Sequence, residues 1–190
     1  MSFDLNELLG NTNLEKVTAD GAGFSELTPG YYLCEVEKTE YGENKDHYPM
    51  PKFTLKVIAD GLAEQLDEDG NTVEDEDGNP VIVTVDGSKD RKIFKNFVLK
   101  DSESIKRFVS DMLKFEDPEN PGESIVTREM FATEEDLKNT LELVKGLTIF
   151  VKGTAGKPSK EYPNPSNFYS FVKWETVNEL GLLDLISFEE

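Results

Sequence analysis

Three stretches of this chain read as strands, and two of them alternate apolar and polar residues with a period of two. In 31–38, Cys34 and Val36 alternate with Glu35 and Glu37; in 52–59, Phe53, Leu55, Val57 and Ala59 alternate with Lys52, Thr54 and Lys56. In 91–99, Ile93, Lys95 and Phe97 point one way and Phe94, Asn96 and Val98 the other. A period of two marks a strand, since successive side chains leave opposite faces. The β-branched run 81–85 and the segments 147–154 and 168–175 read as further strands. Helical spacing marks 102–114 (Ile105, Phe108, Val109, Met112, capped by Ser102) and 133–144 (Leu137, Leu141, Val144, with Thr133 and Asp136 as a capping pair). Strand and helix do not alternate along the chain, which argues against a parallel sheet. The expectation is a mainly β fold with inserted helices: a small five-stranded antiparallel barrel with an extra hairpin. The barrel spans 24–175, with an acidic hairpin insertion at 62–88 and a helical insertion at 101–145. A short extension (1–23) precedes it, with a short helix expected at Phe3–Leu9, and an acidic, apolar tail (176–190) follows.

Charge is distributed unevenly over this framework. The formal net charge is -19, yet residues 89–114 hold eight Lys and Arg against four Asp and Glu, and 145–174 hold five Lys against one Glu. Both stretches are interleaved with aromatics. Affinity for duplex DNA comes mainly from neutralising phosphates, which an acidic surface does poorly. A single strand can also be held by stacking its bases on aromatic rings, with a few lysines along the backbone. The candidate residues are Lys92, Phe94, Lys95, Phe97, Lys152, Lys157, Lys160, Tyr162, Tyr169, Phe171 and Lys173. In the last strand Tyr169, Phe171 and Lys173 share the face read as the stacking surface, while Trp174, on the other face, reads as core. The tail offers Asp184, Phe188, Glu189 and Glu190 to a partner protein; the competing reading is a short helix over 176–187 that packs back on the barrel.

Several chemistries are disfavoured. With one Cys (Cys34) and one His (His47) there is no disulfide within the chain and no closed zinc site. No catalytic residue, cofactor or metal is expected, and the lone thiol fits a reducing cytoplasm. The repeated Asp-Glu-Asp-Gly-Asn at 67–71 and 75–79 places its Gly too early for a helix-loop-helix calcium loop, so both copies read as solvated turns. Asp67, Asp69, Asp75, Asp77 and Asp86 have no evident partner base for a metal nuclease. No apolar run is long enough for a membrane helix.

The segments FSELTPGYYLCEVEKTEY (24–41), MPKFTLKVIADG (50–61), RKIFKNFVL (91–99), GLTIFVKG (146–153) and NFYSFVKWE (167–175) together resemble a family of small phage-encoded proteins. These are thought to bind single-stranded DNA with an oligonucleotide-binding (OB) barrel. The resemblance implies a non-enzymatic strand-coating protein of low sequence preference, acting in phage replication or recombination in the host cytoplasm. It implies a phage or host recombinase, helicase or polymerase as partner through the tail, which is similar to the acidic, Phe-containing ends of single-strand-binding proteins. The alternative is an acidic protein-binding module, such as a DNA-mimicking inhibitor of a host nucleic-acid enzyme.

Overall fold

The computed structural model describes residues 27–68, 70–157 and 166–186. The expected N-terminal extension, Asp69, Lys160, Tyr162, Phe188, Glu189 and Glu190 lie outside the described residues.

One antiparallel sheet carries the molecule. Its central strand β1 (Gly30–Glu43) pairs along one side with β2 (Pro49–Val57) and then β3 (Gly61–Glu64), and along the other with β8 (Thr148–Thr154). Outside these run β5 (Lys92–Asn96) on β2, β4 (Ile82–Val85) on β3, and β9 (Phe168–Val172) on β8. Helix α1 (Ser102–Met112), the hairpin β6 (Glu116–Asp117) and β7 (Asn120–Ser124), and α2 (Glu134–Leu143) connect β5 to β8. A short α3 (Trp174–Glu179) and a 3-10 turn (Leu183–Leu185) follow β9.

The expected closed barrel is not formed. Among the described residues β5 pairs only with β2 and β9 only with β8, so the sheet stays open between these two edges. Closure would bring the edge strands to the ~4.8 Å spacing of a hydrogen-bonded pair. Large side chains fill the seam instead. Phe97, just past β5, packs its ring against Phe108 of α1 at 5.1 Å and Phe171 of β9 at 6.1 Å. The Lys95 side chain also reaches across it, Nζ donating to the Tyr169 carbonyl oxygen at 2.7 Å. This open sheet overturns both the OB-barrel expectation and the family resemblance that rested on it.

Two apolar clusters lie on opposite faces of the curled sheet. The inner one joins Tyr32, Cys34, Val36, Phe53, Leu55, Ile93, Val151 and Phe171 to Phe108 and Met112 of α1 and Leu141 of α2. The outer one joins Leu33, Leu62 and Phe150 to Val177 and Leu182 of the C-terminal segment, with Trp174 edge-on to Phe150 at 4.7 Å. The described part of the tail packs back on the sheet through Leu182, 3% exposed, but the expected helix over 176–187 is replaced by the shorter α3 (Trp174–Glu179) and the 3-10 turn Leu183–Leu185.

Local signals were mostly where the sequence placed them, with some shifts. Helix α1 is capped by Asp101 rather than Ser102: its carboxylate accepts from Ser104 N, and the Ser104 hydroxyl oxygen accepts from Asp101 N. Thr133 caps α2 as expected, accepting from Asp136 N at 3.1 Å. The repeated acidic motifs form turns: Asp67 Oδ1 accepts from Asn71 N, Asp75 Oδ1 accepts from Asp77 N and Asn79 N, and Gly70 and Gly78 take positive φ of 84° and 81°. Those carboxylates are occupied in closing their own loops.

Cys34 is fully buried in the inner cluster, and burial pushes its thiol pKa up. The native protein is expected to resist an aromatic disulfide reagent at neutral pH and to react once per chain in denaturant. Prompt reaction of the folded protein would contradict the packing of β1 against β2 and β8.

Candidate functional site

The C-terminal segment covers only one end of the sheet's outer surface. The other end, formed by the second half of β1 with β2 and β5, has no layer of described residues over it. Inner positions there are Val36, Thr39, Phe53, Leu55 and Ile93, all buried. The register shifts between Val36 and Lys38, so a bulge turns both Glu37 and Lys38 outward. The outer face then reads in cross-strand rows: Glu35, Lys56 and Lys92; Lys38, Thr54 and Phe94; Glu40, Lys52 and Asn96.

Phe94 stands in the middle of this grid and is 69% exposed. Its direct cross-strand neighbour is Thr54, and its diagonal neighbours on β2 are Lys52 and Lys56, about 7–8 Å away in an antiparallel pair. Most of the cations carry a carboxylate: Lys92 contacts Glu37 at 2.6 Å, Lys56 contacts Asp90 at 2.8 Å and Lys38 contacts Glu40 at 3.0 Å. Asp90 holds the Lys56 ammonium above its ordinary pKa range. Lys52 makes no ion pair among the described residues. The face is electrically balanced rather than positive, but its pairs are exposed, and exposed pairs contribute only about 0–1 kcal/mol each.

The residues singled out from the sequence separate into distinct groups. Phe94 and Lys92 lie on this face. Lys95 points inward: its side chain is 14% exposed, it pairs with Asp111 of α1 at 3.3 Å, and its ammonium sits 4.5 Å from the Phe97 ring centroid. Burial pushes the Lys95 ammonium pKa down, and Asp111 opposes the shift. Phe97 and Phe171 belong to the inner core; Phe171 is 1% exposed, with Phe53 at 5.6 Å and Phe115 at 5.4 Å. No ring face of Phe171 is left for a base. Tyr169 is half-buried against the same core, its ring over Gly153. Lys173 contacts the fully buried carboxylate of Glu116 at 3.1 Å, which also accepts from Glu175 N at 3.0 Å. That pair fastens α3 to the β6–β7 hairpin. Lys152 is exposed on the outer face of β8, its ammonium 4.9 Å from the Tyr31 ring centroid; Lys157 is exposed beyond that strand. Asp184 is exposed on the terminal 3-10 turn.

Three outward residues were overlooked: Lys52, Lys56 and Phe168, the last 67% exposed. Alternation alone exposes Phe168 once Phe171 is assigned to the core. Among the described residues no group of three His, Cys, Asp or Glu is arranged to hold a metal, and no helix is long and apolar enough to cross a membrane. No family model matches the chain, and a search of curated proteins found no match.

Proposed function

We propose that the bare outer face of β1, β2 and β5 binds single-stranded DNA with little sequence preference. A base stacks on Phe94 while its flanking phosphates exchange onto Lys52, Lys56 and Lys92. The observation that carries this reading is the exposure of Phe94 (69%) at the centre of a lysine grid. A large ring left in water contributes nothing to either apolar cluster, whereas a stacked base removes it from water. Any base presents a flat face to it, so stacking is tolerant of sequence. Because each of Lys38, Lys56 and Lys92 already has a carboxylate, stacking rather than counterion release supplies much of the affinity, and the salt dependence is shallow for a strand binder.

The test is a fluorescence-anisotropy titration of a labelled dT strand with the wild type and Phe94→Ala, with duplex DNA as the control. The substitution is expected to weaken single-strand binding by about 1–3 kcal/mol, the usual worth of one stacked base. Duplex binding should be far weaker for both proteins. An unchanged affinity in Phe94→Ala would contradict the site.

One observation favours a second reading, an acidic protein-binding module. Residues 64–79 carry eight Asp and Glu and no Lys or Arg. The described residues among them form short bridges, Leu66 to Thr72 and Glu74 to Pro80, between β3 and β4. The same titration separates the readings, since this one requires no affinity for oligonucleotides.

A further inference from the structure

We infer that Phe168 is a second stacking platform, and that one DNA strand crosses the open seam from Phe94 to Phe168. This rests on the single-strand reading above and adds a second contact and a path to it. Phe94 and Phe168 are 69% and 67% exposed, and the next most exposed large aromatic among the described residues, Tyr48, is 42% exposed. Neither phenylalanine belongs to the inner or the outer apolar cluster.

Their placement is correlated. Phe94 precedes Lys95 and Phe168 precedes Tyr169, and Lys95 and Tyr169 are the two residues joined by the 2.7 Å contact across the seam. Lys95 and Tyr169 pack on the inner side, so alternation turns both phenylalanines outward on the two edge strands that face each other. The surroundings are alike as well. Phe168 lies opposite Thr154, and its diagonal neighbour on β8 is Lys152, which pairs with Ser170. Phe94 lies opposite Thr54 with lysines on its diagonals. Each phenylalanine therefore has a threonine directly across from it and a lysine at a diagonal position, residues about 7–8 Å apart in an antiparallel pair. The Tyr31 ring beneath the Lys152 ammonium, 4.9 Å from centroid to nitrogen, holds that cation in place.

The experiment compares wild type, Phe94→Ala, Phe168→Ala and Phe168→Trp on a labelled dT strand of about 16 nucleotides and on one of about 4, the two ends of the usual site-size range. Phe168→Ala is expected to weaken the long strand by about 5- to 150-fold, the equivalent of one stacked base. It should change the short strand, which reaches one platform at a time, by less than about threefold. Phe168→Trp should restore the long-strand affinity. A long-strand affinity unchanged in Phe168→Ala but reduced in Phe94→Ala overturns this inference and leaves the single-platform reading standing. A wild type that binds neither strand overturns both. Phe168 is exposed, so Phe168→Ala should keep the wild-type thermal unfolding curve, and loss of binding with that curve unchanged supports the second platform.

Discussion

Phe171→Ala is expected to cost about 3–5 kcal/mol of stability, as cavity-forming aromatic truncations do. The ring is 1% exposed and sits where β9, β2 and the inserted helical segment converge, with Phe53, Phe97 and Phe115 around it. Few neighbours can collapse into the space, because the surrounding rings are held by the seam. Urea denaturation of the variant should show the whole loss as a lowered midpoint. Phe94→Ala, which removes an exposed ring, should move that midpoint little. The pair thus divides aromatics that hold the fold from aromatics that meet a ligand. A Phe171→Ala protein as stable as the wild type would mean that β9 does not close over the inner core.

Asp111→Ala should come second in effect, at about 3 kcal/mol, the low end for breaking a buried pair. Asp111 and Lys95 are 17% and 14% exposed, and the substitution leaves the Lys95 ammonium among Phe97 and Phe171 with only the Tyr169 carbonyl to accept from it. Lys95→Met should be milder, because Asp111 keeps Lys114 at 2.6 Å and the thioether chain can fill the same space. The pH dependence has a definite sign. A lysine whose folded pKa is depressed holds its proton less readily in the folded than in the unfolded chain. Stability then rises as pH climbs from the folded value towards the unfolded value of about 10.4. Loss of Asp111 deepens the depression, so the deficit of Asp111→Ala should shrink in mildly alkaline buffer. Chemical denaturation at neutral and alkaline pH reads both effects, and a deficit that grows with pH would contradict the buried-ammonium account.

The strands were legible because their alternation is local. Val36, Leu55 and Ile93 fall in the core, as the period of two requires, and Phe108 and Met112 do so for the helix. What failed to show was anything set by distant partners. The open seam depends on Phe97, Phe108 and Phe171 meeting from three separate elements, and no local pattern reports that. The same blindness affected the site. Lys95 and Lys173 look like backbone-tracking cations in sequence, but each is matched to a carboxylate far along the chain, Asp111 and Glu116. The bulge after Val36, which turns Glu37 and Lys38 to one side, also shifts the parity on which face assignments rest. The exposure of Phe94 was legible because an aromatic on each face of one strand is more than a one-sided core needs. Phe168 was masked by the richer look of the opposite face, which carries Tyr169 and Phe171.

The most direct test of the proposed surface is photo-crosslinking of an oligonucleotide carrying iodinated uracils, followed by peptide mapping. A base stacked on Phe94 predicts a crosslink in the peptide that contains β5, suppressed by unlabelled single strand and retained at moderate salt. Absence of a crosslink, or a crosslink confined to residues remote from β1, β2, β5 and β9, would contradict the assignment of this face to single-stranded DNA.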